Sequence, residues 1–327
     1  MDRDPNASTV FVDLDERGSL LDPSRSTPLR SAAVPDFLRR HLAIPEDATD
    51  INVFVHGWMT SPDHAAQNAQ KLRSKFLAQW EAEPDRYPAL DQYRDYNVVV
   101  RWPSQGRYRR IRRRAHSLSI EGEAATIVTQ LLGYLNEQRR PPEPGPDRLG
   151  TADGQFLHAI GHSFGGRFLC QAIQEAGPAR PPTLSWNWKH DDLPYTVDSL
   201  LILQMAARPD VFTSTFRPLL DKAPLNCPVV LTRSRADHAT GIWHRIAEGV
   251  PGIGHVGART PPNLIKSLAL RPVAEDYVRE ELEARIVNID ASWRFRRGRA
   301  WLLQGAHSDI AHDETAHLYL TLADLAR

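Results

Sequence analysis

Cysteine is scarce: the 327 residues contain two, Cys170 and Cys227. Two thiols cannot build a disulfide framework, and their spacing fits no zinc site. A reducing compartment suits such a chain, and a cytoplasmic location is expected. Excess charge of either sign is also missing, since Lys+Arg and Asp+Glu both number 40. The chain therefore lacks the net field that steers proteins toward nucleic acid or anionic membranes, and neither partner is expected. No stretch approaches the roughly 20 apolar residues of a membrane span. The polar start, Met1-Asp2-Arg3-Asp4-Pro5, has no apolar signal-type run behind it. Internal repeats and long low-complexity tracts are absent too.

What is present is an ordinary globular balance, 41% apolar and 24% charged. Short apolar runs alternate with helical patterns. The runs Ile51–Val55, Tyr96–Val100, Phe156–Ile160, Ser199–Leu203, Pro228–Thr232 and Arg285–Ile289 read as buried strands, and Ser8–Asp15 as an edge strand. Ala65, Ala69, Leu72, Phe76 and Trp80 share a helical stripe, as do Ile120, Ala124, Ile127, Leu131 and Leu135. A third helix is expected over Arg167–Gln174, closed by Gly177-Pro178, and Pro141 to Pro146 must be a loop. Continuous apolar strands separated by helices mean an α/β fold: a mostly parallel central sheet with helices on both faces. One domain over 1–327 accounts for the pattern. Two insertions, 181–196 (with Trp186, Trp188 and Tyr195) and 238–271, follow strands and are candidate lids.

The sharpest local signal is Gly161-His162-Ser163-Phe164-Gly165-Gly166. At roughly 7% usage per fixed residue, a G-x-S-x-G match arises by chance about 0.1 times in 327 residues. Its setting, an apolar strand before and a helix pattern after, is that of a nucleophile elbow. The tight turn strains the serine and needs glycines at Gly161 and Gly165. It also aims a helix N-terminus and free amides at the hydroxyl. A serine needs a base held by an acid, each placed past a strand. His307, in Gly305-Ala306-His307-Ser308-Asp309, and Asp237, five residues past the run ending at Thr232, fit that order. Asp210, past the preceding strand, is the alternative acid. The expected oxyanion donors are the backbone N–H groups of Phe164 and Trp58.

On these residues the chain resembles the α/β-hydrolase superfamily. More narrowly it is similar to bacterial serine hydrolases carrying a strand followed by His-Gly, a Trp-Pro-Ser segment and a Gly-His-Ser-x-Gly-Gly elbow. Here those are His56-Gly57, Trp102-Pro103-Ser104 and Gly161 to Gly166. The resemblance covers about residues 50 to 320. It implies Ser-His-Asp acyl transfer on a small-molecule ester, with neither metal nor other cofactor. The same triad serves lipases, thioesterases and acyltransferases, and a hydrolase scaffold can also be a non-catalytic binding protein. Trp58-Met59-Thr60 replaces the glycine-rich run of other esterases, so a bulkier pocket is expected beside the hole.

Other residues read more plainly. His56 is a hydrogen-bonding support, His162 a packing residue or a support behind the reacting groups, and His158 a satisfied core histidine. Asp309 and Asp313 are cap or loop carboxylates. The run Arg107 to Arg114 is a solvated face or a clamp for an anionic group. Trp243, with Trp186 and Trp188, lines an acyl pocket or packs in the core. Cys170 is buried and inert.

Overall fold

The computed structural model describes residues 9–22, 27–118, 123–139, 154–176, 197–221, 225, 227–298 and 301–327. The apolar runs become strands within a residue or two of their expected ends. In chain order these are β1 (Thr9–Asp13), β2 (Leu21–Asp22), β3 (Thr27–Pro28), β4 (Asp50–Val55) and β5 (Asp95–Arg101). They continue with β6 (Phe156–His162), β7 (Ser199–Leu203), β8 (Val229–Arg233), β9 (Ile265–Ala269) and β10 (Ile286–Asp290). Eight of them form one sheet in the order β1-β5-β4-β6-β7-β8-β10-β9, with β2 and β3 paired separately. Every neighbouring pair in the large sheet is parallel.

A parallel sheet must be covered on both faces, and the strand alternation feeds two cores. Ile51, Val53 and Val55 face the core built with Tyr108, Ile111, Ala124, Leu131, Phe164 and Phe168. Their neighbour Phe54 faces the other, with Leu72, Phe76, Leu318 and Tyr319. The first core is roofed by the helices Tyr108–His116, Glu123–Gln138 and Phe164–Ala176, the second by Pro62–Ala82 and Asp313–Leu325. Each fully buried Leu, Ile or Phe contributes about 1.5–3 kcal/mol.

The region 238–271 departs from the lid expectation at its end: Ile265–Ala269 is β9, an edge strand parallel to β10. Its Ile-Lys-Ser-Leu-Ala sequence is only half buried, so it offers no apolar run to read. The earlier part folds into a π-helical turn (Ala239–Trp243) and the short helices His244–Glu248 and Ile253–Val256. The 181–196 insertion with Trp186, Trp188 and Tyr195, the Pro141 to Pro146 loop, Gly177-Pro178 and Ile120 lie outside the described residues.

From β4 the chain steps to β5 on one side, and β6 then docks on the other. At such a reversal the crevice beyond the carboxyl ends of the two strands is open to a ligand. His56-Gly57 leaves β4 there, and Ser163 leaves β6.

Candidate active site

Ser163 sits between the last residue of β6 and the first of the helix Phe164–Ala176, with φ +59°. A non-glycine residue in the left-handed region is strained, and close packing holds it there. A Cβ at Gly165 would lie 2.0 Å from the Val55 carbonyl oxygen, and one at Gly161 2.6 Å from Gly166 Cα. Only glycine lets the helix approach the strands this closely.

The three residues singled out for chemistry converge. His307 Nε2 and Ser163 Oγ are 2.8 Å apart, and His307 Nδ1 and Asp237 Oδ2 are 2.8 Å apart. All three are buried. Two tertiary links deliver His307: an antiparallel bridge between Asp237 and Gly305, and the Ala306 amide donating to Ala236 O at 2.8 Å. The other Asp237 oxygen accepts from the Thr240 amide at 3.0 Å. With Nδ1–H donated to a carboxylate, Nε2 is the lone pair that faces the serine hydroxyl.

The Phe164 amide opens its helix and has no intrahelical acceptor. Trp58 follows Gly57, where an added Cβ would fall 2.5 Å from Ser163 Cβ. Among the described residues, neither amide N–H donates to a backbone or side-chain acceptor.

Asp210, the alternative acid, is not part of this chain. Both its oxygens accept from Arg208 at 3.0 Å, and that guanidinium holds its carboxyl below the usual range. It is half exposed, and its place past β7 is set by a surface ion pair. Asp309 accepts from the Arg296 and Arg297 amides, and Asp313 starts the last helix beside Lys75.

His56 is indeed a support. Its Nε2 accepts from the Trp102 amide at 3.1 Å and its Nδ1 faces Gly57 O at 2.9 Å. Burial drops its pKa to about 4, so the ring is neutral. Of the two readings for His162, it takes the supporting one. Its Nε2–H donates to the His307 carbonyl at 2.7 Å, and the two rings lie 4.8 Å apart. Burial, with His307 beside it, pushes its pKa down to about 3. Gln204 escaped the sequence reading. It follows β7 with φ +50° and is buried. With its amide nitrogen facing the carbonyls, it donates to His307 O at 2.6 Å and Ala306 O at 3.1 Å. Thr240 escaped it as well. Neither residue type is distinctive, and only the position after β7 marked the first. Cys170 is buried on the elbow helix, and burial pushes its thiol pKa up.

A cavity of about 710 Å³ begins at Trp58, next to the Gly57 that packs on Ser163, and is walled by Trp58, Met59, Tyr108, Trp243, Ile246 and Leu303; Ser163 and His307 are not in its lining. Trp58 stands T-shaped to Tyr108 at 4.9 Å, and the Tyr108 ring lies 5.5 Å from Phe164. Trp243 Nε1 donates to Leu303 O at 2.6 Å, closing the far side. Volume does not single this cavity out, because one of about 700 Å³ opens at the amino ends of β7, β8 and β10. Among the described residues no cluster of His, Cys, Asp and Glu could hold a metal ion, and no helix is long and apolar enough to cross a membrane.

Compared with protein-family models, curated proteins and solved structures, the chain matches none.

Proposed function

We propose that the protein is a serine hydrolase that cleaves carboxylic esters through an acyl-enzyme. The observation that carries the reading is the continuous chain Asp237–His307–Ser163, with both links 2.8 Å, at an elbow that strains the serine. In the first step the Ser163 hydroxyl gives its proton to His307 Nε2 while Oγ attacks the ester carbonyl carbon. Asp237 holds the imidazole tautomer and stabilises the imidazolium that forms. The carbonyl oxygen becomes an oxyanion between the Trp58 and Phe164 amides, each supplying on the order of 3 kcal/mol. His307 then protonates the departing alkoxide. Water, deprotonated by the same imidazole, attacks the acyl-enzyme and frees the acid. His162 and Gln204 hold the His307 backbone and are positioning residues.

The apolar cavity walls favour apolar ester groups, and a cytoplasmic setting fits the two unpaired thiols. Incubation with p-nitrophenyl butyrate gives a burst of p-nitrophenol equal to the enzyme concentration, and Ser163→Ala abolishes it. Equal rates in the two proteins would end the reading. A folded protein that an alkyl fluorophosphonate fails to label at Ser163 would point instead to a non-catalytic binding protein. Thioesters hydrolysed in preference to oxygen esters would move the assignment to a thioesterase, and alcohols that compete with water for the acyl-enzyme would move it to an acyltransferase.

A further inference from the structure

The walls of the cavity beside Trp58 are apolar, but its rim is not neutral. Among the described residues, Arg107 and Arg109 border it and no acidic residue does. The arginine run divides into two sets. Arg112 is ion-paired with Glu248, and Arg114 reaches Glu16 at 2.8 Å and Pro103 O at 3.0 Å. These tie the helix Tyr108–His116 to its neighbours. Arg107 and Arg109 have no acidic partner among the described residues, and Arg109 makes a single bond to Ile246 O at 3.2 Å. Both are exposed, Arg107 at the start of that helix with no side-chain capping bond. A cation without a counter-charge beside an apolar recess has the two halves of an amphiphile's complement: a wall that excludes water from a hydrocarbon, and a guanidinium that receives an anion.

We propose that the substrate is an ester joined through an apolar spacer to an anionic group, the spacer lying in the cavity and the anion at Arg107 and Arg109. This rests on the ester-hydrolase reading of Ser163. The spacer lies among Trp58, Tyr108 and Trp243; Trp58 follows the Gly57 that packs on Ser163, and the Tyr108 ring is 5.5 Å from Phe164. A carboxylate, sulfate or phosphate end satisfies the same chemistry. The bare run Arg107 to Arg114 could not separate such a clamp from a solvated helix face. Arg112 and Arg114 are committed to neighbours, Arg110 and Arg113 are exposed away from the cavity lining, and Arg107 and Arg109 are the two that border the apolar recess.

The test measures binding apart from turnover. Ser163→Ala protein, which keeps the cavity, is titrated with monomethyl sebacate and with the matching methyl ester primary amide, following tryptophan fluorescence. The carboxylate probe is expected to bind about two- to fivefold tighter than its isosteric amide, as befits an exposed ion pair. Raising the salt concentration should shrink that ratio. Arg107→Gln should cut it, and the Arg107→Gln/Arg109→Gln pair should bring it to unity. Arg113→Gln, on the outer face, should leave the ratio in place. Equal or weaker binding of the carboxylate, or a preference that survives the double replacement, would overturn the inference. Wild-type turnover of neutral p-nitrophenyl butyrate reports separately on the hydrolase, so either reading can fail without the other.

Discussion

Ser-His-Asp chains occur among the described residues at both ends of the sheet's strands. At the carboxyl rim Ser163, His307 and Asp237 are linked as described. Near the amino ends, Ser199 Oγ lies 2.7 Å from His158 Nδ1, and His158 Nε2 lies 2.8 Å from Asp50 Oδ1. Both sets are buried and both have short hydrogen bonds. They differ in what surrounds them. The His158 ring is reversed, presenting Nδ1 rather than Nε2 to the serine. Arg327 donates to the second Asp50 oxygen at 2.8 Å, as does Thr49 at 2.6 Å, so that carboxylate is already neutralised. Burial alone would raise the Asp50 pKa, but Arg327 and His158 outweigh it and hold the carboxyl below its ordinary 3.8. Ser199 is an ordinary strand residue with no helix N-terminus ahead of it, whereas Ser163 is strained on a turn under two open amides. Connectivity alone therefore does not distinguish the two chains. The rim position, the strain and the two open amides set the Ser163 chain apart from the satisfied network at the amino ends, and His158 is the satisfied core residue its strand position implied.

The comparison can be broken most decisively by paired deletions. Ser163→Ala should lower ester turnover by about 10⁵- to 10⁶-fold, whereas Ser199→Ala should leave turnover within a few-fold and cost about 1–3 kcal/mol of stability in urea unfolding. Comparable losses of turnover in both variants would erase the distinction. Among the acids, Asp237→Asn should reduce kcat by about 10⁴-fold through the wrong imidazole tautomer. Asp50→Asn should instead leave Arg327 uncompensated and cost about 3–5 kcal/mol, measured as a lower urea midpoint.

Acid sharpens the contrast further. His56 and His162 have pKa values of about 4 and about 3 in the folded protein against 6.5 unfolded. The unfolded chain takes up protons below 6.5 that the folded rim refuses, so their stabilisation is complete above 6.5 and is lost as pH falls toward 4. The slope is about 1.4 kcal/mol per pH unit for each ring. The Asp50 contribution, from a lowered carboxyl, is complete above 3.8 and is lost only below it. Urea unfolding between pH 6.5 and 4 should therefore flatten in His162→Asn and keep its slope in Asp50→Asn. The smallest expected effect is that of Gln204→Leu: loss of the amide bonds to the His307 carbonyl should lower kcat about tenfold or less, with KM little changed.

Much of this was legible in the chain. Continuous β-branched runs announced parallel strands, because only strands covered on both faces need no polar side. Gly161, Gly165 and the following helix pattern announced the turn at Ser163. Asp237 and His307 could be selected by order past strands. Less was legible at the edges and between distant segments. β9 has no apolar run, because an edge strand is half solvated. Asp210 and Asp237 both follow strands, and Arg208 beside the first gave no warning that it would claim that carboxylate.

The local order of the chain, through side-chain periodicity and the steric demands of glycine, determined the strands, the helices, the parallel class of the sheet and the strained turn. Those are properties of neighbours in sequence. Which histidine would meet which serine was decided only in three dimensions, across 144 residues for one pair and 41 for the other. Hydrogen bonds and charges act over a few ångströms regardless of separation along the chain. Only the register of β4, β6, β7 and β8, together with the bridge between Asp237 and Gly305, brings those groups within that reach.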